Sequence, residues 1–291
     1  NLMENFSDPA MIRELYNVAS ESNVDDPKLM QQEAIFEMNF SGGNMNKAEN
    51  LLSEAIKLSP NDSIIQHSFA EIALAKAEKS KHKLEIDKYL SEAESICKKL
   101  ISKYKDKPHP FHTLLKVHLF KIKRIIDDND PPSIERAIKD TEKSFSLARQ
   151  QFPEQEFILE AESQFNKLLN HRPEAIELLE KAFALNKRSP YLCLRLANLY
   201  EQNRHDEKAK TVMEETLKLI PNDKDVNYRY AMNLTKSKMP DLDTIKHHLK
   251  RSFTKGDSRY QSQFWYARTI YLLGEIEEAN QIFDTLKNIS I

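Results

Sequence analysis

The stretch Cys193–Pro221, CLRLANLYEQNRHDEKAKTVMEETLKLIP, contains the pattern that decides the fold. Its small and apolar residues fall into two groups separated by a polar segment, and a proline closes the stretch. Residues spaced three and four apart lie on one face of a helix, and both groups have that spacing. The stretch therefore predicts two short helices that pack on each other with small residues where they cross. The groups are Leu196, Ala197 and Tyr200, followed by Ala209, Met213 and Thr216.

The second half of this pattern recurs along the chain. Gly43 and Gly274 each stand five residues before an equivalent alanine, where the chain has to turn between two helices. A period of about 34 residues in a pattern of helix pairs indicates a helical solenoid, in which each pair packs on its neighbours. The alanines equivalent to Ala209 are Ala48, Ala175 and Ala279, which we expect to be buried at helix crossings.

The same stretch resembles the tetratricopeptide repeat, whose pattern is W-x2-L-G-x2-Y, then A-x3-F, then P. The resemblance extends over 29–62 and 172–289 and implies an all-α, right-handed superhelical solenoid. It also implies a concave groove, lined by the first helix of each pair, that binds peptides or protein surfaces. The pattern positions are occupied by Leu196, Tyr200, Ala209 and Pro221, whereas Cys193, Ala197 and Met213 stand in place of Trp, Gly and Phe.

The helical periodicity predicts seven helix pairs and one leading helix without a partner. The helices are expected at 8–20, 28–40, 45–58, 62–80, 83–104, 110–127, 132–151, 155–169, 173–186, 190–202, 206–219, 224–236, 241–253, 259–273 and 276–288. We expect one repeat array over 1–291, cut from a larger protein because it starts at Asn1 with an unpaired helix. Its parts are a leading helix (1–26), a regular repeat (27–62), irregular repeats with long helices (63–153) and further regular repeats (154–291).

Composition argues against several function classes. The chain has only 4 glycines among 291 residues, and no G-x-G-x-x-G or G-x-x-x-x-G-K-[ST] motif can be written with them. The net charge of −2 gives no general attraction to nucleic acid or membranes. No apolar run approaches the ~20 residues of a membrane span. With two cysteines about a hundred residues apart and no signal peptide, a cytoplasmic location with reduced thiols is expected.

Candidate residues for catalysis and metal binding lack the required spacing. His109, His112 and His118 cluster near one helix start, but no carboxylate has zinc-site spacing to them. Cys97 and Cys193 lie inside helical patterns, where buried, inert thiols are usual. The sequence therefore predicts no catalytic residue, no metal site and no cofactor.

Two basic stretches with interleaved aromatic residues leave an RNA-binding function open. Stacking on single-stranded nucleic acid uses such residues, but each stretch has Asp or Glu nearby, which favours a solvated helix face. The residues are Lys98, Lys99, Lys103, Lys105 and Lys107 with Tyr104, and Lys250, Arg251, Lys255 and Arg259 with Phe253 and Tyr260.

A stripe of residues on the first helices of the later repeats is predicted to bind a protein ligand. It lies away from the packing face, and aromatic, Met and Arg side chains in a surface stripe are typical of contact hot spots. Phe264 and Trp265 have the alternative of packing between repeats. The stripe comprises Tyr191, Leu194, Asn198 and Glu201, then Asp225, Tyr228, Arg229 and Met232, then Gln261, Phe264, Trp265, Arg268 and Tyr271.

The segment RSFTKGDSRYQSQFWYARTIYLLGEIEEANQIFDTLKN, 251–288, is similar to the C-terminal repeats of bacterial antiphage STAND NTPases, mainly through F-T-x-G-D and Q-F-W-Y-A-R. This resemblance implies a ligand-sensing region that binds a phage structural or packaging protein, with an ATPase and oligomerising domains upstream. The alternatives are an RNA-binding helical-repeat module and a general adaptor in a multiprotein complex.

Overall fold

The structure is a computed structural model that describes residues 9–22, 25–40, 42–128, 131–254 and 259–287. This described part is built from helices and contains no strand, so the predicted all-α fold is confirmed. Every predicted helix is present, with ends that differ by no more than two residues. The helices are α1 (Pro9–Ser22), α2 (Pro27–Asn39), α3 (Met45–Leu58), α4 (Ser63–Lys79), α5 (Lys83–Lys103), α6 (Pro108–Asp128), α7 (Pro131–Gln151), α8 (Glu156–Leu168), α9 (Arg172–Leu185), α10 (Pro190–Gln202), α11 (Asp206–Leu219), α12 (Lys224–Leu234), α13 (Leu242–Arg251), α14 (Tyr260–Leu272) and α15 (Ile276–Lys287).

Short polar side chains fix where many of these helices begin. Asp62, for example, accepts hydrogen bonds from the backbone N–H groups of Ile64 (2.8 Å) and Ile65 (3.3 Å), which have no partner inside the helix. Pro27 and Pro190 stand at the starts of α2 and α10, where the missing N–H costs nothing. The same kind of side-chain cap is provided by Asp26, Asn44, Ser189, Asp223 and Asp241.

The turn between paired helices repeats one backbone conformation. Asn170, Arg204 and Gly274 have positive φ angles of 62°, 61° and 87°, and each stands five residues before the alanine of its repeat. This left-handed conformation ends the first helix and lets the second helix fold back. A glycine is therefore not required at this turn, since Asn and Arg adopt the same conformation in two of the repeats.

The predicted turn at Gly43 is present near the N-terminus, between α2 and α3. Gly42, not Gly43, has the positive φ there (87°). Gly43 is needed for a different reason: a Cβ atom at this position would overlap the backbone carbonyl of Glu37. Gly43 thus permits a close approach of backbone to backbone, rather than a left-handed turn.

The helices form two compact units, Asn1–Pro153 and Glu154–Ile291. In the first unit, α1 contacts α2, and the pairs α2–α3, α4–α5 and α6–α7 follow, each helix packing on the next. We call the first member of each pair a first helix and the other a second helix. The first helices α2, α4 and α6 also contact one another in turn. The core of this unit includes the fully buried Leu52, Ile65, Leu90, Phe111, Leu115 and Phe145.

The second unit contains the pairs α8–α9, α10–α11, α12–α13 and α14–α15. Leu196, Ala197 and Tyr200 are at most 5% exposed, as the packing face of α10 predicts. Ala209 is fully buried where α11 crosses α10. Small residues at the crossings allow this close approach of the backbones. The expected burial of the other repeat alanines, Ala48, Ala175 and Ala279, is also confirmed, each with no exposed surface.

None of the described helices combines the length and the apolar character that crossing a bilayer requires.

Candidate protein-binding surface

All the residues of the predicted stripe lie on α10, α12 and α14, the last three first helices of the second unit. Tyr191, Phe264 and Tyr271 are about half exposed, at 55%, 46% and 49%. Leu194 and Tyr228 are partly buried and pack against the hydrophobic core. Burial also raises the pKa of Tyr228 above its ordinary value. The stripe is therefore a mixture of open side chains and side chains that support the core.

Polar residues of the stripe bind each other between α10 and α12. Glu201, whose side chain is 9% exposed, forms an ion pair with Arg229 and accepts a hydrogen bond from the side-chain amide of Asn233 at 2.9 Å. Lys236 Nζ lies 3.1 Å from the same carboxylate. Arg229 also reaches Asn198 Oδ1 at 3.4 Å. Within this unit, these residues hold neighbouring first helices together, because their polar atoms are satisfied by one another.

A similar contact joins α8 to α10, and it includes Glu160 and Arg195, which the sequence analysis did not single out. The carboxylate of Glu160, only 4% exposed, accepts hydrogen bonds from Tyr191 Oη (3.0 Å) and Arg195 Nε (3.1 Å). Arg195 also lies over the Tyr191 ring at 5.7 Å. Burial, together with the charge of Glu160, raises the pKa of Tyr191 to about 12. Tyr191 is thus anchored by its hydroxyl while its ring stays open to solvent.

The third contact of this kind pairs Asp225 of α12 with Arg259, which directly precedes α14. In each of the three contacts, an acidic residue of one repeat meets an arginine about one repeat further along the chain. We call these contacts the acid–arginine pairs. In the sequence, each pair can be recognised as an acidic residue and an arginine separated by about one repeat of ~34 residues. This signal identifies Glu160 and Arg195, which a search for an exposed stripe does not.

On α14 we call Phe264, Trp265, Arg268 and Tyr271 the α14 patch. Phe264, Arg268 and Tyr271 are exposed, whereas Trp265 is partly buried and packs against the core. The Arg268 guanidinium lies over the Trp265 ring at 4.8 Å, and Phe264 meets Trp265 edge to face at 6.0 Å. Phe264 also contacts Phe283 of α15 at 5.8 Å. No ion pair of Arg268 is found within the described ranges. The patch therefore presents a cation and aromatic rings that are held in place by stacking.

Histidines and cysteines occupy structural positions. His67 Nε2 lies 2.8 Å from Thr113 Oγ1, and its ring is 6.2 Å from that of His109. In the part of the chain that the structure describes, no three His, Cys, Asp or Glu side chains are arranged to hold a metal ion. Cys97 and Cys193 are buried free thiols. Burial raises their pKa values to about 12 and about 11, which disfavours the reactive thiolate.

The basic stretches are largely engaged with neighbouring residues. Lys98 pairs with Glu94 at 2.5 Å, and Lys107 lies 3.5 Å from Asp106. Lys250 lies over the ring of Tyr266 at 4.8 Å, so this aromatic partner belongs to the core rather than to an open stacking face. Lys255 lies outside the described residues. These contacts favour solvated helix faces over a nucleic-acid track.

Comparison with known proteins agrees with this architecture. Residues 170–233 match the family model of the tetratricopeptide repeat. No curated protein matches the chain in sequence.

Among solved structures, a thermophilic tetratricopeptide-repeat protein of Thermus thermophilus superposes with a TM-score of 0.56 and 19% identity, over 72% of this chain and 100% of that one. PilF of Pseudomonas aeruginosa superposes with a TM-score of 0.54 and 14% identity, over 77% of this chain and 91% of that one. A monomeric mutant of IFIT1, solved with m7Gppp-AAAA, superposes with a TM-score of 0.52 and 13% identity, over 94% of this chain and 66% of that one. The chain therefore has a helical-repeat fold like that of tetratricopeptide-repeat proteins, and its residues 170–233 are similar to this repeat in sequence.

Proposed function

We propose that this chain is a protein-interaction scaffold that binds a protein ligand along the first helices of its second unit. The observation that carries the proposal is the α14 patch. Aromatic and arginine side chains contribute most of the binding energy at protein interfaces, and they contribute most when they are already held in a fixed conformation. Stacking between Arg268 and Trp265 provides that order before any ligand binds. We expect the chain to act by binding and not by catalysis.

The acid–arginine pairs support a protein ligand over a nucleic acid. Arg229 and Arg259 each bind a carboxylate of this surface, and Arg195 binds Glu160. Their charges are therefore neutralised before a ligand arrives, and few cations remain to displace the counterions of a phosphate backbone. The remaining stripe is a mixture of apolar, amide and tyrosine side chains, as at the core of a protein interface.

We further propose that this scaffold is the ligand-sensing part of a larger cytoplasmic antiviral STAND NTPase, with a phage structural or packaging protein as its ligand. The support is the sequence resemblance of segment 251–288. Its Q-F-W-Y-A-R motif contains two exposed residues of the α14 patch, Phe264 and Arg268, and the partly buried Trp265 on which Arg268 stacks. Gly256 and Asp257 of the other motif lie outside the described residues.

The test begins with the chain as bait in lysates of infected and uninfected bacteria. A captured phage protein is then purified, and its affinity is measured for the chain and for two double variants. Arg268→Ala with Tyr271→Ala should weaken binding by at least ~10-fold, since two hot-spot side chains are removed. The melting temperature should stay within about 1 °C, because both residues are exposed.

The matched control is Arg251→Ala with Leu219→Ala, which changes exposed residues on second helices and should leave the affinity unchanged. Equal affinities for all three proteins would contradict the binding surface. Recovery of host chaperones alone would contradict the sensor function. Binding of single-stranded RNA that weakens steeply between low and moderate salt would instead favour the RNA-binding alternative.

A further inference from the structure

An open pocket lies in the first unit, which does not contain the stripe. It has a volume of about 540 Å³ and is bounded by the second helices α5 and α7, with the first helix α6 between them. This volume is within the ~300–1,000 Å³ range of small-molecule sites. Among its lining residues, only Ile125 and Ala137 lack a polar side-chain group. Its chemistry is therefore set by charged and hydroxyl side chains.

The α5–α6 side of the pocket is organised around Glu94. Its carboxylate, 19% exposed, accepts a hydrogen bond from Lys98 Nζ at 2.5 Å and forms an ion pair with Lys121. His118 Nε2 lies 3.8 Å from the same carboxylate. The contacts with His118, Lys121 and Lys98 outweigh burial and hold the pKa of Glu94 well below its ordinary range. Glu94 is thus ionised and fixes two ammonium groups at the pocket wall.

These two ammonium groups can donate further hydrogen bonds in addition to those that Glu94 accepts. Each lysine has three N–H donors, and the contact with Glu94 uses one of them. The buried Nδ1 atom of His118 has no hydrogen-bond partner among the described residues. The spare N–H groups of Lys98 and Lys121 can therefore donate to a polar ligand, whereas the His118 Nδ1 atom lies out of its reach.

The α7 side adds cations that are less well neutralised. Arg136 forms no ion pair within the described ranges, and Lys143 lies 3.6 Å from Asp140. The lining as a whole carries four lysine or arginine charges against two carboxylates, which leaves a net charge of +2. Hydroxyl groups of Thr141 and Ser144 lie among them. The excess positive charge repels metal ions and favours an anion.

We propose that this pocket binds a small phosphate-bearing anion between α5, α6 and α7. A phosphate group carries about two negative charges and several strong acceptor oxygens, which match the charge excess and the spare N–H donors. The planar Arg136 guanidinium is suited to bidentate contact with such a group. This site is independent of the proposed protein-binding surface, which uses first helices of the other unit.

Isothermal titration calorimetry with inorganic pyrophosphate tests the proposal on the whole chain at 0.15 M salt. We expect saturable binding with one site per chain. Arg136→Gln with Lys143→Gln should weaken it by at least ~10-fold, because each residue provides charge-assisted hydrogen bonds. Both side chains are exposed, so the fold should be retained.

The matched control is Lys123→Gln with Lys139→Gln. Both are exposed lysines on α6 and α7 that do not line the pocket, and their loss changes the net charge by the same amount. We expect the control to weaken binding less than twofold. An absence of binding by the unmodified chain would overturn the proposal. Equal weakening by the two double variants would also overturn it, because it would show attraction to the overall charge rather than to this pocket.

Discussion

Replacing Ala209 with phenylalanine tests the helix register from which the whole fold was predicted. Ala209 has no exposed surface, and Cys193, Ala197 and Met213, which belong to the same cluster, have none either. A phenyl ring at this crossing has no free space, so either the helices separate or Met213 changes its conformation. Methionine adapts readily, which limits the expected loss to about 1–3 kcal/mol of unfolding free energy.

The assay is thermal unfolding followed by circular dichroism. For a unit of this size, about 1 kcal/mol corresponds to roughly 2–4 °C in melting temperature, so a fall of about 2–12 °C is expected. Thr211→Phe is the matched control, since it puts the same ring on an exposed position of α11 and should change the melting temperature little. If the Ala209→Phe variant has the same melting temperature as the unmodified chain, the packing deduced for α10 and α11 is refuted.

Two further predictions concern buried carboxylates. Glu201→Gln should lower the unfolding free energy by about 1–2 kcal/mol, because Arg229 and Lys236 lose their shared counter-charge while both remain partly solvated. Urea unfolding measures the loss, with Glu207→Gln, a change at an exposed residue, as the control. Equal losses of stability in the two variants would contradict the prediction. The hydrogen bond from Arg13, with smaller contributions from the Asn44 backbone N–H and the charges of Arg13 and Lys47, outweighs burial and lowers the pKa of Glu37 from 4.5 to about 2. A lowered carboxyl pKa stabilises the fold fully above pH 4.5, and this stabilisation is lost as the pH falls from 4.5 to about 2. An NMR titration should show Arg13→Gln moving the Glu37 pKa upward, and an unchanged pKa would refute the role of Arg13.

The helices and their pairing could be predicted from the sequence because they depend on local signals. Apolar spacing, capping residues such as Asp62 and the small residues at crossings such as Ala209 each act within one or two helices. The turn at Gly42 could not be predicted as easily. Gly42 and Gly43 are equally permissive in sequence, and the need for Gly43 arises from the approach of the Glu37 carbonyl, a contact made only after folding.

The helices that carry the stripe could be predicted, but the contacts among its residues could not. Helical periodicity puts Tyr191 and Glu201 on one helix, and both lie on α10. That Glu201 is nearly buried by Arg229 depends on how two first helices pack, and Glu160 lay outside the stripe entirely. The pocket beside Glu94 lies between three consecutive helices, and it depends on how these helices pack, so helical periodicity alone does not indicate it.

The acid–arginine pairs make the order of the repeats in the second unit matter. Glu160 on α8 is satisfied by Arg195 on α10, and Glu201 on α10 by Arg229 on α12. A foreign repeat inserted between α9 and α10 would separate Glu160 from its arginine and leave an almost buried carboxylate uncompensated, which is strongly destabilising. Shuffling or duplicating single repeats is therefore disfavoured here. Repeats of this unit can be gained or lost only where an acid and its arginine move together.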